Sequence, residues 1–275
     1  MPTPAVHLAL AEKMLRRDDL SLVAGRLLRE HRGPFLLGHT APDVRTISGQ
    51  DREECHFYDI PRTSKRSAYL ELFARHPSLR NVDRLAPSQI AFVAGYIAHL
   101  ELDELWLDHV FYPFLYGEWA TLRERLFLHN VLRTWVDQRA QEALTGTVAG
   151  SLRLVQPSEW LPFVRDCDLR VWRDWLVRQL QPGRKMETAE VLAGRMGVPA
   201  SGIHALVDSR SAMEERVFRR FPRSALESFC QLGYERGVAL IEWYIGGSAH
   251  GKVDLGTPTV SLTRSADCLT IQEAT

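Results

Sequence analysis

The sequence has little of what marks several large classes of protein. Of its 275 residues only four are cysteine, and none forms a Cys-x-x-Cys pair, which argues against a disulfide framework and a finger-type zinc site. Lysine and arginine number 34, as do aspartate and glutamate, so no excess of positive charge is available for nucleic-acid phosphates and no such patch is evident. No run of 18 apolar residues occurs, so no membrane span is predicted.

The motifs of several common enzyme classes are missing as well. The sequence contains no P-loop, no Gly-x-Gly-x-x-Gly, no His-Glu-x-x-His and no Gly-x-Ser-x-Gly, and these mechanisms therefore lack their usual signatures. A His-Asp dipeptide is also absent, which disfavours the helical HD phosphohydrolases. The first residues, MPTPAVH, include no apolar core of a signal peptide. We therefore expect a soluble, cytoplasmic protein with reduced cysteines.

Helical periodicity is abundant. Apolar residues recur at helical spacing, and helices are predicted over residues 5–16, 20–30, 64–75, 87–112, 118–142, 158–180, 187–197, 202–220 and 223–245. Strand-like alternation is almost absent, so the pattern predicts an all-α fold, a multi-helix bundle of about eight to ten helices in a single domain over residues 1–246. The run PFLLGHTAPDVR is too interrupted for a normal helix or strand, residues 46–62 are interpreted as a loop, and residues 247–275 as a flexible tail.

The segment 87–112 is predicted to be a buried central helix. Pro87 stands where a first helical turn tolerates proline, and the apolar residues that follow go nearly all round the helix. Within it His99 and Asp103 are four residues apart, which places both side chains on one face. Because burying an unpaired polar group costs about 2–7 kcal/mol, these two need each other, another side chain or a metal.

Further histidines and aspartates stand in similar apolar settings. They are Asp43 in FLLGHTAPDVR, His56 in ECHFYD, His7 in the first predicted helix and His109, six residues after Asp103. Imidazole and carboxylate are ligands that suit zinc and related divalent ions, and together these residues could hold two ions. For His99 and Asp103 alone, a hydrogen-bonded pair without metal is the simpler alternative.

The order and setting of these residues resemble the zinc-dependent phospholipase C family, which comprises all-α hydrolases of the phospholipase C and P1 nuclease type. The matching segments are PAVHLALAEKML, LLGHTAPDV, CHFYD and GYIAHLELDELW, and the spacing from Asp103 to His109 also fits. The resemblance covers about residues 1–140, whereas residues 150–275 carry no part of the motif.

The resemblance implies a set of zinc ligands and an activity. The ligands of one ion would be Asp43, His56, His99 and Asp103. Asp103 would also bridge to a second ion that His7 binds, and His109 would be the first ligand of a third. Asp43 would accept the proton of the attacking water. The implied reaction is attack on phosphorus by a hydroxide that a divalent ion activates, with a small phosphoester or a phospholipid as substrate.

Two departures from the family pattern bear on the number of ions. Secreted members begin with a tryptophan whose amino group and carbonyl bind metal, whereas Met1 stands first here. The family's third site needs a later histidine with a glutamate four residues on, but His129 is followed at that distance by Arg133. Glu124 or Asp137 could substitute. We therefore expect one or two zinc ions and an incomplete third site.

Two residues near Asp43 have candidate supporting roles. His39 could orient a metal ligand or be an ordinary loop histidine, and Arg45 could hold a phosphate oxygen with its planar fork or be a surface arginine. A function of another class also stays open, namely a catalytically inactive helical binding module with a structural metal.

Overall fold

The computed structural model describes residues 1–18 and 20–246, and these form a multi-helix bundle without strands. The helices are α1 (Pro4–Leu15), α2 (Leu22–Glu30), α3 (Arg32–Gly38), α4 (Arg45–Ser48), α5 (Arg52–His56), α6 (Ala68–Arg75), α7 (Pro87–Trp106), α8 (Tyr112–Tyr116), α9 (Leu122–Ala143), α10 (Thr147–Arg153), α11 (Asp166–Gln179), α12 (Thr188–Met196), α13 (Ala200–Val207), α14 (Arg210–Met213) and α15 (Arg223–Ile245). The all-α fold expected from the sequence is confirmed. The predicted tail over residues 247–275 lies outside the described residues.

The central helix of the bundle is α7. Pro87 occupies its first turn, and every residue from Ala91 to Trp106 is buried, because α3 and α15 both pack along it. The buried central helix predicted from the sequence is therefore present, but as an α-helix it ends at Trp106. A π-helical turn, Leu107–Phe111, follows, just before Pro113, which has no amide hydrogen to donate to the preceding turn. Within the described part of the chain, no helix combines the length and apolar character needed to cross a bilayer.

Short helices occur where the sequence suggested irregular backbone. The run judged too interrupted for a helix forms α3, because Pro34 falls in the first turn, where an amide hydrogen has no partner within the helix. The predicted loop 46–62 contains α5, which begins with a capping box between Asp51 and Glu54. The sequence pattern Asp-x-x-Glu signals such a helix start.

Two predicted helices begin later than expected. The helix predicted from residue 158 begins at Asp166, because Pro162 disfavours helical backbone at the residue before it. The helix predicted from residue 118 begins at Leu122, where the Thr121 side chain accepts a hydrogen bond from the Glu124 amide at 3.2 Å. The cap residue, rather than the apolar pattern, sets this boundary.

The crossing of α3 and α7 depends on two glycines. A Cβ atom on Gly38 would stand 2.0 Å from the carbonyl oxygen of Phe92, and one on Gly95 would stand 2.3 Å from the carbonyl oxygen of Phe35. Neither position has room for a methyl group, so the two helix backbones touch. This close approach sets the end of α3, including His39, against the middle of α7.

We expect Gly95→Ala to force α3 and α7 apart and to lower the free energy of unfolding by about 1–3 kcal/mol or more, as overpacking does. Gly150 in α10 is the matched control, since open space surrounds it; alanine there removes the helix penalty of glycine and is expected to stabilise by about 0.5–1 kcal/mol. Urea unfolding followed by circular dichroism measures both. Equal effects of the two substitutions would show that the crossing is not tight.

Candidate metal centre

Five polar side chains from four segments of the chain converge beside α7. They are His7 from α1, Asp43 from the 3-10 turn Ala41–Val44, His56 from the end of α5, and His99 and Asp103 from α7. The side chains of His7, His56, His99 and Asp103 are fully buried, whereas that of Asp43 is 20% exposed. We call these five residues the His/Asp cluster; it brings together most of the ligands expected from the sequence.

Asp103 lies at the centre of the cluster. Its Oδ1 is 3.5 Å from Nε2 of His7, and its Oδ2 is 3.4 Å from Nε2 of His56 and 3.7 Å from Nε2 of His99. Nε2 of His56 is also 3.7 Å from Oδ1 of Asp43. These separations exceed those of N–H···O hydrogen bonds. The imidazoles thus surround the carboxylates without being hydrogen-bonded to them.

The cluster leaves many buried polar atoms without a hydrogen-bond partner among the described residues. They are both ring nitrogens of His7 and of His56, Nε2 of His99 and Oδ1 of Asp103. Leaving such atoms unpaired costs about 2–7 kcal/mol each in an apolar setting. Two ligands of one tetrahedral zinc ion, with bonds of about 2.0–2.2 Å, stand about 3.3–3.6 Å apart. The nitrogen–oxygen separations of 3.4–3.7 Å therefore fit a shared ion.

The ligand atoms fall into two overlapping groups, in each of which they lie within 4.8 Å of one another: His7, His99 and Asp103, and Asp43, His56 and His99. His99 belongs to both, but its Nδ1 is 3.0 Å from the carbonyl oxygen of His39. A carbonyl only accepts, so Nδ1 carries the proton and Nε2 is the one nitrogen left for a metal. His99 can therefore serve a single ion. A second ion would rely on His7 and the second oxygen of Asp103.

Two residues that the sequence analysis did not single out orient the Asp103 carboxylate. Nη2 of Arg52 donates to Oδ2 of Asp103 at 2.8 Å, and the Tyr58 hydroxyl donates to the same oxygen at 3.2 Å. Arg52 also donates to the Tyr58 hydroxyl at 2.7 Å. Arg52 and His56 are four residues apart on α5, so both side chains lie on the same face of this helix. The capping-box pattern was the sequence signal that could have revealed α5, and with it the position of Arg52.

Burial controls the ionisation of the cluster. It lowers the pKa of His56 to about 4 and the pKa of His99 to about 3, so both imidazoles are neutral at pH 7. Burial disfavours the charge on Asp103, but the surrounding histidines and Arg52 hold the pKa of this carboxyl well below its usual range. Neutral imidazoles and an ionised carboxylate are the forms that ligate metal.

The residues expected at a third site do not come together. His109 is exposed on the π-helical turn. His129 is buried, and its Nε2 accepts a hydrogen bond from the Trp106 indole at 3.1 Å. Asp137 accepts from the amide of Ala5 at 3.3 Å, so this carboxylate holds the first turn of the helix that carries His7. Of the three, Asp137 thus acts on the cluster indirectly, through α1.

Three further residues have specific places. His39 contributes its backbone carbonyl to His99, while its ring lies 5.5 Å from that of His7 between centroids. Arg45 is half-buried and, among the described residues, forms no ion pair or hydrogen bond with the cluster. Met1 reaches the cluster region, but its carbonyl accepts a hydrogen bond from Nε of Arg133 at 2.7 Å.

A crevice of about 50 Å³ lies beside the cluster, and Asp43 is the cluster residue that lines it. Its lining residues are Pro2, Thr3, Pro4, Asp43, Thr46, Arg133, Trp172, Trp175, Thr188, Val191, Leu192 and Arg195. The space suffices for several water molecules, since one needs about 10–15 Å³. Asp43 is the cluster residue through which a water molecule or substrate atom would arrive.

A larger groove, of about 620 Å³, lies at the carboxyl end of α9. Gln141, Arg153 and Lys185 are among its lining residues, and no residue of the His/Asp cluster lines it. By size alone this groove would be the better candidate for a site. However, both groups of described residues that could hold a metal lie in the cluster beside α7.

Comparison of the chain with protein-family models, curated proteins and solved structures finds no match in any of the three. Function is therefore inferred from the geometry of this chain's own residues.

Proposed function

We propose that the protein is a divalent-metal-dependent phosphoester hydrolase, with zinc as the ion. The observation that supports this is the convergence of three histidines and two aspartates whose inward-facing atoms are largely unpaired. A hydrogen-bonded His99–Asp103 pair without metal, the simpler alternative, is disfavoured by the 3.7 Å separation of its atoms. A set of nitrogen and oxygen donors with this spacing suits zinc.

Each residue of the His/Asp cluster would have a separate role. Asp43, His56, His99 and Oδ2 of Asp103 would hold one ion, and His7 with Oδ1 of Asp103 would contribute to a second. A bound ion supplies Lewis-acid polarisation and lowers the pKa of water to about 7. Arg52 keeps the bridging carboxylate in orientation.

Asp43 is the residue placed to take a proton from water in the crevice. Burial disfavours its charge, but the neighbouring His56 and His99 hold the pKa of this carboxyl below its usual range. Asp43 is thus ionised at neutral pH, and its partial exposure lets it face a water molecule. This position supports the role of proton acceptor that the resemblance implies.

Phosphoesters are the favoured substrates because of the charge around the crevice. Arg133 and Arg195 line it together with Asp43, and guanidinium groups match the oxygens of a phosphoryl group.

The test is hydrolysis of bis-p-nitrophenyl phosphate and p-nitrophenyl phosphate by the zinc-loaded protein. We expect turnover that a chelator abolishes and added zinc restores. His56→Ala is expected to lower kcat/KM at least about 100-fold, since even groups beyond the ligands cost about 10–100-fold. His109→Ala is the control and is expected to keep full activity. Retained zinc with no turnover of any phosphoester would instead support a binding module with a structural metal.

A further inference from the structure

The crevice that leads to Asp43 has an uneven distribution of charge. Its charged lining residues are Asp43, Arg133 and Arg195, and the rest of the lining is uncharged. Asp43 would be engaged with an ion, which would leave the two arginines as the charges that meet an entering ligand. Their field favours a ligand with negative charge.

Arg133 is held in place by neutral partners. Its Nε donates to the carbonyl oxygen of Met1 at 2.7 Å, and its Nη1 donates to Oδ1 of Asn130 at 3.3 Å. Within residues 1–18 and 20–246 no carboxylate lies within ion-pair distance of Arg133, and its two side-chain hydrogen bonds use Nε and Nη1 rather than Nη2. Burial lowers the pKa of Arg133 to about 10, so it stays charged at neutral pH. The guanidinium is thus oriented by neutral groups, and Asp43, Asp103 and Asp137 favour its charge without forming an ion pair with it.

Arg195 reaches the same crevice from α12. It is exposed, and its Nη2 donates to the hydroxyl of Thr46 at 3.2 Å, so it too is positioned by a neutral partner. Trp172 and Trp175 complete the lining as a stacked pair, with ring centroids 4.9 Å apart and planes inclined by 20°. The crevice thus offers two guanidinium groups beside an apolar wall.

We propose that Arg133 and Arg195 form an anion clamp that selects a doubly charged phosphoryl group, so that the substrates are phosphomonoesters rather than phosphodiesters. This inference rests on the proposed function. A phosphomonoester carries close to two negative charges at pH 8, since its second pKa is about 6, and has three terminal oxygens for forked donors. A diester has one charge and two such oxygens. The Trp172–Trp175 wall would contact the organic group of the ester.

The clamp is tested by binding of methyl phosphate and dimethyl phosphate to the zinc-loaded full chain at pH 8, followed by tryptophan fluorescence. We expect methyl phosphate to bind at least about tenfold more tightly than dimethyl phosphate, given the stronger charge-assisted bonds. Arg133→Gln and Arg195→Gln are each expected to weaken methyl phosphate binding about tenfold and dimethyl phosphate binding less. Arg153→Gln is the control, since Arg153 lines the larger groove and not the crevice, and it is expected to change neither.

The outcomes separate the clamp from the hydrolase. Arg195 is exposed, so Arg195→Gln is expected to fold even if Arg133→Gln does not, and zinc content and melting temperature check both. Equal affinity for the two esters, or no change in Arg195→Gln, overturns the clamp even if both esters are hydrolysed. Arginine-dependent binding of methyl phosphate without turnover supports the clamp and contradicts the proposed hydrolase.

Discussion

Asp103→Asn is expected to reduce bound zinc from one or two ions per chain to less than about a tenth of an ion. The carboxylate lies between His7 on one side and His56 and His99 on the other, so it would be the ligand common to both of the proposed ions. An amide keeps the shape but offers one neutral oxygen and no negative charge, and zinc in proteins prefers anionic oxygen or imidazole. Elemental analysis of protein purified without chelator or affinity metal measures the loss.

The same substitution should also remove the effect of zinc on stability. A ligand that binds only the folded state raises the melting temperature, so zinc is expected to raise it for the wild type and not for Asp103→Asn. His109→Ala, on the exposed π-helical turn, serves as the comparison and should retain both the zinc and the shift. The metal proposal would be contradicted if the wild-type protein contained no zinc and its melting temperature did not change when zinc was added.

In its metal-free form the protein is expected to lose stability steeply as the pH falls from 6.5 towards 4. Burial lowers the pKa of His56 to about 4 and of His99 to about 3, and it also lowers the pKa values of His39 and His129. In the unfolded chain all four titrate near 6.5. Between about pH 4 and pH 6.5 the unfolded state therefore binds more protons than the folded state does. The stability that is present above pH 6.5 is lost as the pH falls through this interval.

The size of the effect follows from linkage. Each proton taken up on unfolding changes the free energy of unfolding by about 1.4 kcal/mol per pH unit, so His56 and His99 together give about 2.5 kcal/mol per unit near pH 5. His39 and His129 act in the same direction. The loss is a large share of the stability of an ordinary domain, about 5–15 kcal/mol. Asp43 and Asp103, whose pKa values are also lowered, add to the loss below about pH 4, where unfolded carboxyls titrate.

Urea unfolding of chelator-treated protein between pH 4.5 and 8 measures this slope. His129→Gln is the informative variant, because an amide oxygen can still accept the Trp106 hydrogen bond while the titrating group is gone; the slope should fall by about 1.4 kcal/mol per unit. His109→Gln should leave it unchanged. A wild-type slope below about 1.4 kcal/mol per pH unit, the value for one proton, would mean that the buried histidines ionise without unfolding of the protein.

The histidines and aspartates of the cluster could be found from the sequence because of their neighbours. His99 and Asp103 interrupt a helix that is apolar on nearly every side, and a polar pair there is conspicuous. His7, Asp43 and His56 also stand among apolar residues. What the sequence could not supply was their distances, because these depend on how α1, α5 and α7 pack.

Arg52 and Tyr58 were missed for the opposite reason. They lie in the polar segment interpreted as a loop, and their shared partner, Asp103, comes from a distant helix. His109 shows the limit of spacing arguments: six residues after Asp103 correspond to about 240° around an α-helix, so the two side chains point away from each other. The boundaries of α3 and α11 likewise depend on the positions of Pro34 and Pro162.

The cluster takes its ligands from α1, from the turn after α3, from α5 and from α7, that is, from residue 7 to residue 103. An ion held there would cross-link segments that are far apart in the chain. Free metal at 100 times the Kd would add about 2.7 kcal/mol to the free energy of unfolding. Removal of the metal would then raise the unfolded fraction about 100-fold, so the susceptibility of the chain to proteolysis in a cell would follow the supply of zinc.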